Sequence, residues 1–177
     1  MLTPSVTQCI SPFVDFSKIS PDVLLHASER GTRAHDACAA YAMMLHVVID
    51  PDIQGYFDSY RRWFDMMNEE VLLCEDRLIE KDFLFHGQCD LVIKSNSEGV
   101  ILVDLKTPVQ LQKSWQLQIS AYKHLVENVA MIRMDKVGSL QLNKDGKTAH
   151  MIYYENSAQD FNLFLQCLNL YRFFYSK

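Results

Sequence analysis

The sequence contains no apolar run approaching the roughly 20 residues that a bilayer-spanning helix needs, and its N-terminal MLTPSVTQCI lacks a basic stretch followed by an apolar one. An intracellular protein with no membrane partner is expected. Glycine and proline are sparse, 6 and 5 among 177 residues, which excludes a collagenous or linker-rich chain. The five cysteines, Cys9, Cys38, Cys74, Cys89 and Cys167, are scattered and odd in number, so a disulfide framework is excluded and reduced, mostly buried thiols are expected. There is no repeat and no low-complexity tract. An excess of positive charge is also missing: the net charge is −5, unlike that of a protein with a large sequence-independent duplex-binding surface. Arg30, Arg33, Arg61, Arg62, Lys106, Lys113 and Lys123 still leave room for a narrow basic track beside an acidic pocket.

What is present is an ordinary globular composition, 49% hydrophobic, enough for one well-buried core and hence a single domain over 1–177. Ser20-Pro21-Asp22 has the cap, first-turn proline and first-turn acid of a helix start, and Gly31 is expected to interrupt that helix. A second helix is read from about Thr32 to Val47, and a third opens at Asp50-Pro51-Asp52, with Tyr56, Phe57, Tyr60 and Phe64 as its apolar stripe. From Val71 the period changes to that of strands, Val71 to Glu80, Phe83 to Lys94 and Val100 to Thr107, the last stopped by Pro108. Ser114 to Glu127 reads as a crossover helix. Two more strands follow, Met131 to Leu142 and Thr148 to Glu155, around the turn signal Asp145-Gly146. A closing helix runs from about Ser157 to Tyr175, apolar over most of its circumference, which implies deep packing or a subunit contact in a homo-oligomer. The fold class is therefore α/β, a mixed central sheet flanked by helices.

The most informative stretch is GQCDLVIKSNSEGVILVDLKT, Gly87 to Thr107. A hairpin centred on Ser97 puts Asp90 opposite Asp104 and Val92 opposite Leu102, with Lys106 on the same face. The other face is then Cys89, Leu91, Ile93, Ile101, Val103 and Leu105. A slip of one residue would exchange the faces of either strand, so this unbroken apolar set supports the register. Like charges directly opposed destabilise a strand pair unless something offsets them. A divalent cation does so, and carboxylate oxygens suit Mg²⁺ or Mn²⁺. Lys106 can orient a water and stabilise developing negative charge, or simply pair with a neighbouring acid.

Asp90 followed across a hairpin by Asp104-Leu105-Lys106 resembles the D…(D/E)xK core of the PD-(D/E)XK nuclease superfamily, with its restriction-endonuclease-like fold. Gly31-Thr32-Arg33-Ala34-His35 upstream, Gly87 before the first Asp, and Gln118-Ile119-Ser120-Ala121-Tyr122 downstream, a QxxxY motif, bring the resemblance to the RecB-like exonuclease branch. The resemblance implies that His35 is a metal ligand with Asp90 and Asp104, and that the Leu105 carbonyl adds another. It implies a further acid on the preceding strand, for which Glu75 is the best candidate, with Glu70 and Glu80 as competitors. Gln118 and Tyr122, one helical turn apart, would lie beside the metal and orient catalytic groups or contact a phosphate. Arg33 is a candidate phosphate contact or a surface salt bridge; Trp115 either stacks on a base or packs in the core. Some members hold an iron–sulfur cluster with a close group of cysteines near the C-terminus. This chain has only Cys167 there, so no cluster is expected.

The function so implied is a Mg²⁺- or Mn²⁺-dependent DNA exonuclease acting in recombination or repair. It is similar to small enzymes of phage or mobile elements, located in the cytoplasm (the host's if phage-encoded), acting on DNA with a free end and with a single-strand annealing protein as a possible partner. The alternatives are a structure-specific endonuclease on the same fold and a non-catalytic nucleic-acid-binding subunit that retains it.

Overall fold

In the computed structural model, which describes residues 3–108 and 110–175, a five-stranded mixed sheet carries helices on both faces. The elements in chain order are α1 (Val6–Ile10), a single 3-10 turn (Ser11–Phe13), α2 (Pro21–Ala42), α3 (Gln54–Met67), β1 (Asn68–Glu80), β2 (Phe85–Ser95), β3 (Gly99–Lys106), α4 (Ser114–Asn128), β4 (Lys136–Gln141), β5 (His150–Tyr153) and α5 (Ser157–Tyr175). The strands lie in sequence order. All neighbours are antiparallel except β3 and β4, which run parallel because α4 carries the chain back between them.

Two cores form on the two faces of the sheet. Leu91, Ile93, Ile101, Val103 and Leu105 pack with α2 and α3, where Ala34, Ala37, Cys38 and Ala42 let α2 come close. Val92, Leu102, Phe85 and Val137 pack with α1, α4 and α5. Pairing of β2 with β3 runs from Ser95↔Gly99 through Val92↔Leu102 to Leu91↔Val103, in the register expected from the alternation, but it ends there, one step short of the expected pair of Asp90 with Asp104.

Several expected boundaries move, each for a local reason. Gly31 does not interrupt a helix: α2 is continuous, and the glycine lies where an added Cβ would stand 3.5 Å from Thr107 Oγ1, at the end of β3. The helix stops at Ala42, not Val47, because Met44 turns left-handed (φ 56°) and the Leu45 N–H bonds back to the Ala40 carbonyl, a Schellman closure without glycine. Asp50-Pro51-Asp52 forms a turn ahead of α3 and does not cap it. Left-handed Leu84 and Met131 delay β2 to Phe85 and leave β4 starting at Lys136. In α5 only Asp160, Phe164 and Leu168 are buried, while Phe173 and Phe174 are 80% and 71% exposed, so the helix packs along one stripe and not around its circumference. The five thiols are unpaired, and Cys9, Cys38 and Cys89 are buried.

Candidate metal centre and its neighbours

The site forms where the regular alternation of the sheet breaks. Cys74 and Leu91 pack toward α2, whereas Cys89, two residues before Leu91, packs into the α1, α4 and α5 core. Residues two apart on a regular strand share a face, so the strand pair rolls over between these positions, and the expectation that Cys89 shares a face with Leu91 fails. The roll is made at Glu75, which stands at φ 55° between Cys74 and Asp76, whose partners are Leu91 and Cys89. A left-handed backbone in a non-glycine residue costs about 1–2 kcal/mol. Here it brings the Glu75 side chain beside Asp90.

His35 reaches the same point from α2. Its Nδ1 is 3.6 Å from Asp90 Oδ2, and one ligand atom each of His35, Glu75 and Asp90 lie within 4.8 Å of one another, a group able to hold a metal ion. Asp90 Oδ2 also accepts the Leu105 N–H at 2.6 Å, just past the last β2–β3 pair, so the carboxylate satisfies the amide that the parting strands leave behind. Glu75 Oε2 accepts from Gln88 Nε2 at 2.6 Å. Its other oxygen, Oε1, is buried and has no partner among the described residues. A buried carboxylate oxygen without a donor is costly, and a cation at this point would relieve it. One imidazole nitrogen and several carboxylate oxygens make a donor set that fits Mg²⁺ less well than Mn²⁺ and accommodates both.

The second half of the site is a relay on the α4 side. Asp104, 1% exposed, accepts from Lys106 Nζ at 2.7 Å and from Ser139 Oγ at 3.2 Å, and Ser139 stands opposite it on β4. Lys106 donates to Gln118 Oε1 at 3.0 Å, and Gln118 Nε2 donates to the Tyr122 hydroxyl at 3.0 Å. Tyr122 is joined in turn to the Thr7 side chain of α1. Gly87 makes room for this phenol, since a Cβ there would lie 2.7 Å from Tyr122 Cε1.

The two halves are coupled electrostatically. Burial works against charge on His35, but the Asp90 carboxylate beside it outweighs this and raises the imidazole pKa. Burial pushes Asp90 up, yet His35, Lys106 and the Leu105 N–H together hold it below the ordinary range. For Asp104 burial prevails over Lys106, the charge of Asp90 adds to it, and the pKa is raised. Burial and Asp90 likewise raise Glu75, against the Gln88 hydrogen bond.

Of the residues singled out from sequence, His35, Glu75 and Asp90 come together as one group, and Asp104, Lys106, Gln118 and Tyr122 as another. Asp104 does not belong to the three-residue group; its Oδ2 is taken by Lys106 and Ser139. Leu105 enters through its N–H to Asp90. Glu70 pairs with Lys94 across β1 and β2, away from Glu75, and Glu80 is bound to His124 at 3.0 Å, so neither competes for the acid's place. Arg33 is engaged by Asp50 at 2.9 Å and Asp52 at 2.5 Å, the surface salt bridge. Trp115 is 4% exposed and lies under Lys106, whose Nζ is 5.7 Å from the ring centroid, so it is packed and does not stand free at the surface. Sequence reading missed Ser139, Thr7 and Gln88. A serine inside the apolar strand VGSL was a usable signal for Ser139; Thr7 and Gln88 carry none.

No protein-family model and no curated protein matches this sequence. The functional reading therefore rests on the side chains and their arrangement.

Proposed function

We propose that this chain is a metal-dependent deoxyribonuclease of the PD-(D/E)XK type, similar to the RecB-like exonucleases. The observation that carries the reading is the pairing of a three-ligand group having an orphaned carboxylate oxygen with a lysine relay on β3, the strand beside that of Asp90. His35, Glu75 and Asp90 would hold a Mg²⁺ or Mn²⁺ ion, with Asp104 beside them. When bound, such an ion supplies charge stabilisation at the phosphoryl and leaving oxygens and a more acidic water.

The chain's own residues do the rest. Lys106 Nζ, fixed between Asp104 and Gln118, is a compact cation that can orient the attacking water and neutralise charge that builds on the phosphoryl oxygens. Gln118 and Tyr122 hold that ammonium in place, and Thr7 and Gly87 hold Tyr122. Ser139 fixes Asp104 from β4, so the carboxylate that positions Lys106 is itself positioned. Water attack at phosphorus breaks the phosphorus–oxygen bond and releases an alcohol, with no covalent enzyme intermediate.

The deciding measurement is digestion of end-labelled linear and covalently closed circular DNA, single- and double-stranded, with Mg²⁺ or Mn²⁺. Loss of label from linear DNA alone supports an exonuclease. Equal cutting of closed circles makes it an endonuclease, and binding without cutting under all these conditions rejects catalysis in favour of a binding subunit.

A further inference from the structure

A small apolar cavity adjoins the relay. It measures about 140 Å³ and is walled by Ile10, Val14, Phe16 and Trp115, with Thr7, Ser11 and Gln118 among its polar lining residues. An apolar cavity of ~150 Å³ accepts a benzene ring. Its volume therefore suits one six-membered aromatic ring and not a base pair. Phe16, 40% exposed, offers a ring face at the mouth, while Ile10 and Trp115 are buried and form the floor. Thr7 and Gln118 belong to both structures: they line the cavity, and they are links in the chain of contacts from Lys106 through Tyr122.

Resting on the nuclease reading for the position of the phosphate, we propose that this cavity is the subsite for one unpaired nucleobase of the strand being cut. A phosphodiester at Lys106 has its neighbouring nucleoside within reach of Gln118, one side chain away, and an apolar slot there favours a flat ring over the ribose or a water shell. Base stacking on aromatic side chains tolerates every base because each has a π-face. A paired base does not fit. The substrate class is consequently single-stranded DNA or a frayed end, and the base is read by shape, with a pyrimidine the better match in size. Occupation of the slot presses on Gln118 and so on the setting of Lys106, which makes the base part of the catalytic geometry.

The test separates binding from cutting. In EDTA, a fluorescently labelled thymidine tetranucleotide and the same backbone with abasic sugars are titrated with the wild-type protein and followed by anisotropy. The tetranucleotide should bind at least about fivefold more tightly than its abasic counterpart. Phe16→Ala, at a partly exposed coil position, and Ser11→Phe, which fills the slot from an exposed position, should each erase that difference. Trp63→Phe leaves Trp115 as the sole tryptophan, and its emission should be quenched by the tetranucleotide and not by the abasic chain. Equal binding of both oligonucleotides, no binding of either, or a difference that survives Ser11→Phe overturns the subsite. Adding Mn²⁺ then reports on the nuclease reading separately: a bound but uncut tetranucleotide rejects cleavage and leaves the subsite standing, whereas equal cutting of both chains rejects the subsite alone.

Discussion

At the scale of single residues, Glu75 is the position where conformation and chemistry conflict. Its left-handed backbone and its partnerless buried oxygen both oppose folding in the absence of a cation. Glu75→Gly removes both and should make the metal-free protein more stable by about 1 kcal/mol, while abolishing most of the stabilisation that millimolar Mn²⁺ gives the wild type. Denaturant melts with and without Mn²⁺ measure both; a Glu75→Gly protein that is less stable without metal, or equally stabilised by it, contradicts the role. Lys106 should behave in the opposite way. Lys106→Met is expected to lower cleavage by about 100-fold or more, the usual order for removing one charge-stabilising donor, with Mn²⁺ affinity nearly unchanged. It should also cost about 3 kcal/mol of stability, because Asp104 is left buried without its cation. Equal loss of metal affinity in Lys106→Met and Glu75→Gly would remove the distinction drawn between ligand and relay.

At the scale of elements, two glycines of the motif region have different duties. Gly31 lies in a continuous helix with only ordinary contact awaiting a Cβ, so Gly31→Ala should raise stability by about 0.5–1 kcal/mol through helix propensity and leave the site intact. Gly87→Ala meets Tyr122 and Leu125 at 2.7 and 2.9 Å; it should cost about 1–3 kcal/mol and reduce turnover further by pushing Tyr122 off Gln118. Thermal melts beside steady-state rates distinguish the two, and a fully active Gly87→Ala would show that the phenol is not part of the relay. The same elements mark how far the sequence could be read. The β2–β3 register was legible because strict alternation over Leu91–Ile93 and Ile101–Val103 admits one pairing, and His35 and Asp90 stood out by type and order; Glu75 was one of three candidate acids, and Asp104, expected among the ligands, stands outside the group. The continuity of α2 through Gly31 was not legible, since a glycine inside a helix costs only about 1 kcal/mol and its type alone does not show whether the helix ends there. Nor was the roll at Glu75: a positive φ in a glutamate leaves no mark in composition, yet it is what separates Cys89 from the face of Leu91. Ser139 and Thr7 act through parallel pairing and helix docking, which join residues distant in sequence and without periodic spacing.

At the scale of the whole molecule, a net charge of −5 leaves few phosphates to be contacted at once. Binding of single-stranded DNA by the Lys106→Met protein should therefore weaken only gently with salt, with a slope of about −2 in log K against log salt, as for roughly three phosphate contacts. Anisotropy across a salt series gives the slope, and a steep one would require a basic surface that this reading does not include. The span of the site has another meaning. Its parts come from α1, α2, all three of β1, β2 and β3, α4 and β4, so that Thr7 and Ser139 take part in one arrangement. Ser139 cannot hold Asp104 until β4 has paired with β3. During synthesis, a ribosome that has released only the motif-bearing half offers nucleic acid a disconnected set of side chains. If the chain is the nuclease proposed above, it is inert for as long as it is incomplete, and its safety catch is the joining of strands distant in sequence.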